Sequence, residues 1–184
     1  MKATGVVRRI DDLGRIVIPI EIRRTMRIRD GDPLEIFVDK DGEVILKKYS
    51  AIVDLGTFAE EMTDSIHEAS GHVAIIADRD SVVAVSGARR KDFVDKRISD
   101  IVLRAMNDRQ TIIDDSPERQ SEAILEDSEG ESEFHTAVIV PIVVHGDPYG
   151  AVIAASAEAD NPIGDGEVKL ATSAAGFLSR YLAE

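Results

Sequence analysis

The chain has 184 residues, with 35 acidic against 22 basic side chains and a formal net charge of −13. The absence of Cys excludes a disulfide scaffold, a Cys-based zinc site and a thiol nucleophile. The longest apolar run, 137–144, is shorter than the roughly 20 residues that a membrane-spanning helix needs, and the N-terminal sequence is charged, so we expect a cytoplasmic protein with no membrane partner.

The charge is divided unequally along the chain. Residues 1–29 hold eight bases, seven of them Arg, and three acids, which gives +5. Residues 1–50 carry +2, whereas residues 51–184 carry −15. Such asymmetry indicates a nucleic-acid-binding module joined to a second, acidic domain.

The first 50 residues predict short elements separated by turns. Alternating apolar residues indicate the first strand, Pro19 ends the second strand and begins a helix, and residues 39–42 form the turn of a hairpin. We expect strands at 3–10 and 16–18, a helix from Ile20 to about Arg27, and a hairpin of strands 34–38 and 44–48. Because so few elements cannot close a core alone, this domain, residues 1–50, is predicted to need a second copy of the chain.

Residues 51–55 are predicted as a linker and 56–184 as an α+β domain with an antiparallel sheet. The terminal helix is apolar on two faces, which predicts one face on its own sheet and the other on a partner copy. The acidic stretch 114–133 is predicted to be a mobile surface loop. The pattern gives, in order, a helix from Leu55 to a stop at Gly71, strands 73–77 and 82–86, a helix near 95–107, strands 111–113, 136–144 and 150–157, and a helix 165–183.

Five Arg are the candidate site residues: Arg8, Arg9, Arg15, Arg23 and Arg24. Arg forms forked contacts with phosphates and with guanine edges, so one interpretation is a DNA-contacting face. A solvated charged surface is the alternative, and charge alone leaves both open.

The N-terminal sequence resembles the AbrB-type transition-state regulators of spore-forming bacteria over residues 1 to about 50. The resemblance lies in KATGVVRRIDDLGRIVIP (2–19), IEIRRTM (20–26), GDPLEI (31–36) and ILKKY (45–49). It implies a swapped-hairpin β-barrel formed by two chains. It also implies that Arg8, Arg15, Arg23 and Arg24 contact double-stranded DNA, with Arg9 in support.

The C-terminal sequence resembles a GAF domain, the small-molecule-sensing fold, as found in two-domain AbrB-type members that act in sporulation. The resembling segments are 78–80, 84–87, 141–152 and 174–178. This resemblance implies a nucleoid-associated activator and repressor of forespore genes. It further implies a homotetramer joined through the C-terminal helices, and an unidentified small-molecule ligand.

Other chemistry has little support in the sequence. The four His show no metal-ligand spacing, and there is no P-loop, no nucleophile elbow and no Gly-x-Gly-x-x-Gly. We therefore expect no metal, no cofactor and no enzyme activity. The alternatives left open are an AbrB-headed antitoxin, and an architectural nucleoid protein whose C-terminal domain is a scaffold that senses nothing.

Overall fold

The computed structural model describes residues 5–114, 123–126 and 134–183. The chain forms two compact units, Met1–Tyr49 and Ser50–Glu184. Among the residues described, no helix is both long and apolar enough to cross a bilayer.

The N-terminal unit contains one short helix and one hairpin. Helix α1 spans Ile20–Thr25, and Pro19 stands at its N-cap in an extended conformation. Strands β1 (Leu34–Val38) and β2 (Val44–Lys48) pair antiparallel. These elements confirm the predicted helix and the predicted hairpin.

The two other strands predicted for this unit are not paired. Residues 5–10 and 16–18 enter no strand ladder within the described chain. A tight turn, 11–15, separates them, closed by the Arg15 carbonyl, which accepts from the Asp11 N–H at 3.1 Å. A β-strand needs a neighbouring strand for its backbone groups, and one copy of this chain offers none to these segments.

Almost nothing in the N-terminal unit is buried. Of its described residues only Pro19 is buried, and apolar side chains on the unpaired segments face solvent, with Val7 84% and Val17 72% exposed. Ile36 and Val38 of β1 are also largely exposed. Residues 5–49 of a single copy therefore form no hydrophobic core.

The C-terminal unit is built on a five-stranded antiparallel sheet of order β4-β3-β7-β6-β5. Its strands are β3 (Val73–Ala77), β4 (Val82–Ser86), β5 (Ile112–Asp114), β6 (Thr136–Val144) and β7 (Asp147–Ser156). The predicted order of helices and strands, and the antiparallel sheet, are confirmed.

Helices cover both faces of this sheet. One face packs against α2 (Ala51–Asp54), α3 (Thr57–Ser70) and α6 (Asp165–Tyr181), with Ile66 and Leu178 fully or almost fully buried. The other face packs against α4 (Arg90–Phe93) and α5 (Asp100–Asp108). As predicted, α3 ends at Gly71, which adopts the left-handed conformation at φ 74°.

Two predicted segments differ from the structure. The stretch predicted as a linker holds α2, and its Ile52 is fully buried in the core. The helix predicted near 95–107 begins only at Asp100, because Val94 bridges Val82 of β4, Arg97 bridges the preceding Ser81, and Asp95 has a φ of 65°.

The acidic stretch predicted as a mobile loop falls largely outside the described residues. Its central part, 123–126, is described and is packed: Ile124 is 2% exposed, and its carbonyl accepts from the Ser99 N–H at 2.9 Å. Asp114 belongs to β5. The prediction of a loop was therefore wrong for Asp114, whereas 123–126 have the irregular backbone of a loop but bury Ile124 instead of leaving it at the surface.

Candidate nucleic-acid interface

Arg15 extends from a turn that Asp11 organises. Oδ1 of Asp11 accepts from the backbone N–H groups of Leu13 (3.0 Å) and Arg15 (2.8 Å). Oδ2 accepts from Nε of Arg15 at 2.7 Å. Gly14 supplies the positive φ, 77°, that the turn requires. The carboxylate thus fixes the backbone of the turn while the Arg15 side chain remains 71% exposed.

These contacts lower the pKa of Asp11 below its usual value of 3.8, first through the backbone N–H of Arg15 and then through the Arg15 side chain. Because the folded pKa is depressed, the contribution of the carboxylate to the turn is complete above about pH 4. It is lost as the pH falls through the folded pKa.

We predict that the backbone amide resonances of Leu13 and Arg15 shift together in an NMR titration, with a midpoint below 3.8. The control is Asp11→Asn, which retains a side-chain acceptor but has no carboxyl to titrate. A shared midpoint at or above 3.8 would contradict the assigned role of Asp11.

Arg23 and Arg24 are neighbours on α1 with different surroundings. Nη1 of Arg23 lies 2.6 Å from Oδ1 of Asp30, and the Arg23 side chain is half-buried. Arg24 is exposed. The Oγ1 of Thr25 donates to the Glu21 carbonyl at 2.8 Å. Arg24 is therefore free to extend into solvent, whereas Arg23 is held in an ion pair by Asp30, which lies beyond the end of α1.

Arg8 and Arg9 lie on the unpaired segment 5–10, and both are exposed. Nη1 of Arg8 donates to the neighbouring Val7 carbonyl at 3.2 Å. All five predicted Arg are thus at least partly accessible, two of them in defined ion pairs.

Two carboxylates of this surface were missed in the sequence. Asp11 and Asp30 each bind one of the candidate Arg. An Asp at the first position of a turn that contains Gly14 was a usable signal for Asp11. Asp30 lies seven residues after its partner, a spacing that no periodicity indicates.

Within the described ranges, no three His, Cys, Asp or Glu side chains gather closely enough to hold an ion.

Comparisons with known proteins cover both units. Residues 54–183 match the family described as "Stage V sporulation protein T C-terminal, transcription factor". Residues 7–54 match "Antidote-toxin recognition MazE, bacterial antitoxin". The transition state regulatory protein AbrB of Bacillus subtilis (strain 168) is 47% identical over 75 residues, 41% of this chain and 77% of the relative.

Solved structures support the fold of the C-terminal unit. A GAF domain from a phosphoenolpyruvate-protein phosphotransferase of Coxiella burnetii matches with a TM-score of 0.57 at 15% identity, over 70% of this chain and 82% of that one. The corresponding domain from Acinetobacter gives 0.56 at 12% identity, over 74% and 84%. The C-terminal unit therefore has a GAF-like fold.

One relative matches both units together. The stage V sporulation protein T of Bacillus subtilis (strain 168) is 50% identical over 182 residues, 99% of either chain. Because the match extends over nearly the whole of both chains, the relative has counterparts of the N-terminal and C-terminal units in the same order. With the C-terminal family covering residues 54–183 as well, the chain belongs to the stage V sporulation protein T family.

Proposed function

We propose that this chain is a DNA-binding transcription regulator of sporulation genes that activates some promoters and represses others in the forespore. The observation that carries the proposal is an Arg-rich surface on a unit that is similar to AbrB and has no core of its own. Its direct test is footprinting of the full-length protein on its own genome, which should find discrete protected sites upstream of sporulation genes. Uniform, sequence-independent protection would instead favour an architectural nucleoid protein.

Two copies of the N-terminal unit would form one DNA-binding barrel. Pairing of the segments 5–10 and 16–18 with a second chain satisfies their backbone groups and buries exposed side chains such as Val7 and Val17. A two-fold symmetric barrel doubles the Arg surface. Arg8, Arg15 and Arg24 would bind phosphates, and bending of the duplex would add sequence preference.

Arg23 is the fourth Arg that would contact DNA in this proposal, and Arg9 has a supporting role. Asp30 holds the Arg23 guanidinium in place, so Arg23 reaches DNA with little loss of side-chain freedom. Arg9 adds positive charge beside Arg8.

The GAF-like unit would join two dimers into a tetramer through its helices. Three aromatic rings stack on the outer side of α3 and α6: Phe58 lies 5.8 Å from Phe177 and 5.4 Å from Tyr181, between centroids. Phe177 and Tyr181 are 43% and 50% exposed. Exposed stacked aromatics are typical of the centre of a protein–protein interface.

We predict that Phe177→Ala/Tyr181→Ala converts tetramers to dimers, because the substitution removes most of the apolar surface that α6 exposes. Sedimentation velocity measures the change. Ile113→Ala, which removes a similarly exposed apolar side chain from the edge strand β5, is the control and should leave the tetramer intact. A tetramer that survives the aromatic double substitution would remove this surface from the proposal.

The antitoxin alternative fits the sequence less well. The antitoxin model matches residues 7–54 alone, whereas the regulator from Bacillus subtilis matches 99% of the chain. Sensing of a small molecule by the GAF-like unit stays a prediction.

A further inference from the structure

The acidic C-terminal unit carries one strongly basic segment, 89–97, which we call the basic edge segment. Its five bases, Arg89, Arg90, Lys91, Lys96 and Arg97, are all exposed. They are five of the eleven bases in residues 51–184, and the segment has a net charge of +3 within a region of −15. Nearly half of the basic residues of this unit therefore lie within nine consecutive residues.

The backbone of the basic edge segment is fixed along an edge of the sheet. β4 is an edge strand, and its Val82 donates to the Lys96 carbonyl at 2.9 Å and accepts from the Asp95 N–H at 3.0 Å. Phe93 and Ile98 anchor the segment in the core, at 3% and 1% exposure. The cations are thus displayed from an ordered scaffold.

Neighbouring carboxylates neutralise only part of this charge. Arg90 pairs with Glu60 of α3, and Arg97 lies 3.9 Å from Glu126. Asp92 and Asp95 are exposed within the segment itself. Arg89, Lys91 and Lys96 form no ion pair within 4 Å in the part of the chain that the structure describes.

The surroundings of these cations favour a phosphate polymer over a protein surface. Protein interfaces have an apolar centre rich in aromatic residues. No large apolar side chain of residues 89–97 is strongly exposed, since Phe93 is buried and Val94 half-buried. Cations without an apolar centre are typical of contacts with a nucleic-acid backbone.

We propose that the basic edge segment is a second DNA contact, which binds backbone phosphates flanking the site held by the N-terminal units. The proposal rests on the proposed function, because a chain tethered to DNA by its N-terminal unit meets that DNA at a raised effective concentration through covalent linkage alone. These contacts read no bases. They add affinity on long duplexes and increase the dependence of that affinity on salt.

The test compares full-length variants on duplexes of about 20 and about 60 base pairs, roughly two and six helical turns, that share one footprinted site. Arg89→Gln/Lys91→Gln removes one Arg and one Lys from the segment. Its control, Arg109→Gln/Lys169→Gln, also removes one exposed Arg and one exposed Lys, both outside the segment. Melting temperature and sedimentation must match wild type for both variants.

On the long duplex, we expect the log–log salt slope of the segment variant to be less steep by about 1.8 per bound chain, from about 0.9 per phosphate contact. On the short duplex, we expect the segment variant and the control variant to have the same log–log salt slope. Equal slopes for the two variants on the long duplex would overturn the proposal and leave the proposed function standing. A wild-type chain without affinity for either duplex would overturn both.

Discussion

Replacement of Arg15 and Arg24 by Ala should halve the salt dependence of DNA binding by the full-length protein. If four Arg on each of two protein chains contact DNA phosphates, the slope of log affinity against log salt concentration approaches about −7 for the wild type, from about −0.9 per phosphate. Removing two of the four per chain should bring it to about −3.6, since each lost contact leaves its counterions on the DNA. Titrations at several salt concentrations measure both slopes.

Lys substitutions provide the matched control for this prediction. Arg15→Lys/Arg24→Lys keeps both positive charges and should preserve the slope, but it loses the planar fork that binds phosphate and guanine edges with two hydrogen bonds. We expect this variant to discriminate less between its operator and random sequence. An unchanged slope in the Ala double variant would refute the assigned DNA-binding face.

Gly150→Ala should severely destabilise the C-terminal unit. Gly150 is buried on β7, and a Cβ there would lie 2.1 Å from the carbonyl oxygen of Ala77 and 3.2 Å from its carbonyl carbon. Both are backbone atoms of β3, the strand paired with β7, so the sheet itself would have to shift. Overpacking of this kind costs about 1–3 kcal/mol and more where backbone must move, which chemical denaturation measures.

Gly166→Ala is the control for Gly150→Ala. Gly166 lies in the first turn of α6, and a Cβ there meets nothing within 4 Å. This change should be neutral or stabilise by up to about 1 kcal/mol, because Ala loses less backbone entropy in a helix. Equal stability of the two variants would mean that β3 and β7 tolerate the added methyl group.

Local pattern predicted the elements of the C-terminal unit well, and the misses have physical causes. Residues 95–107 carry apolar residues at helical spacing, but 94–97 bind the edge strand β4, so tertiary pairing overrides the local preference. The start of β7 was predicted at Gly150, three residues late. His145 and Gly146 both have positive φ, 51° and 93°, which makes a two-residue hairpin turn and extends the strand to Asp147.

The sequence predicted the Arg residues of the candidate site but not the carboxylates that bind them. Charge and the resemblance indicated the Arg positions, because bases concentrate in the first 29 residues. The carboxylates that hold Arg15 and Arg23 depend on how the chain turns, and Asp30 reaches Arg23 only after α1 has ended. The close approach of Gly150 to β3 likewise depends on three-dimensional packing alone.

That Pro19 alone is buried among residues 5–49 has a consequence for gene dosage. If association of two copies supplies the missing core, as proposed, the fraction of chains competent to bind DNA rises with the total amount of protein. At low abundance the concentration of dimerised N-terminal units grows as the square of the chain concentration. Promoters controlled in this way respond to a threshold level of the regulator, and a two-fold change in its synthesis near that threshold produces up to a four-fold change in occupancy.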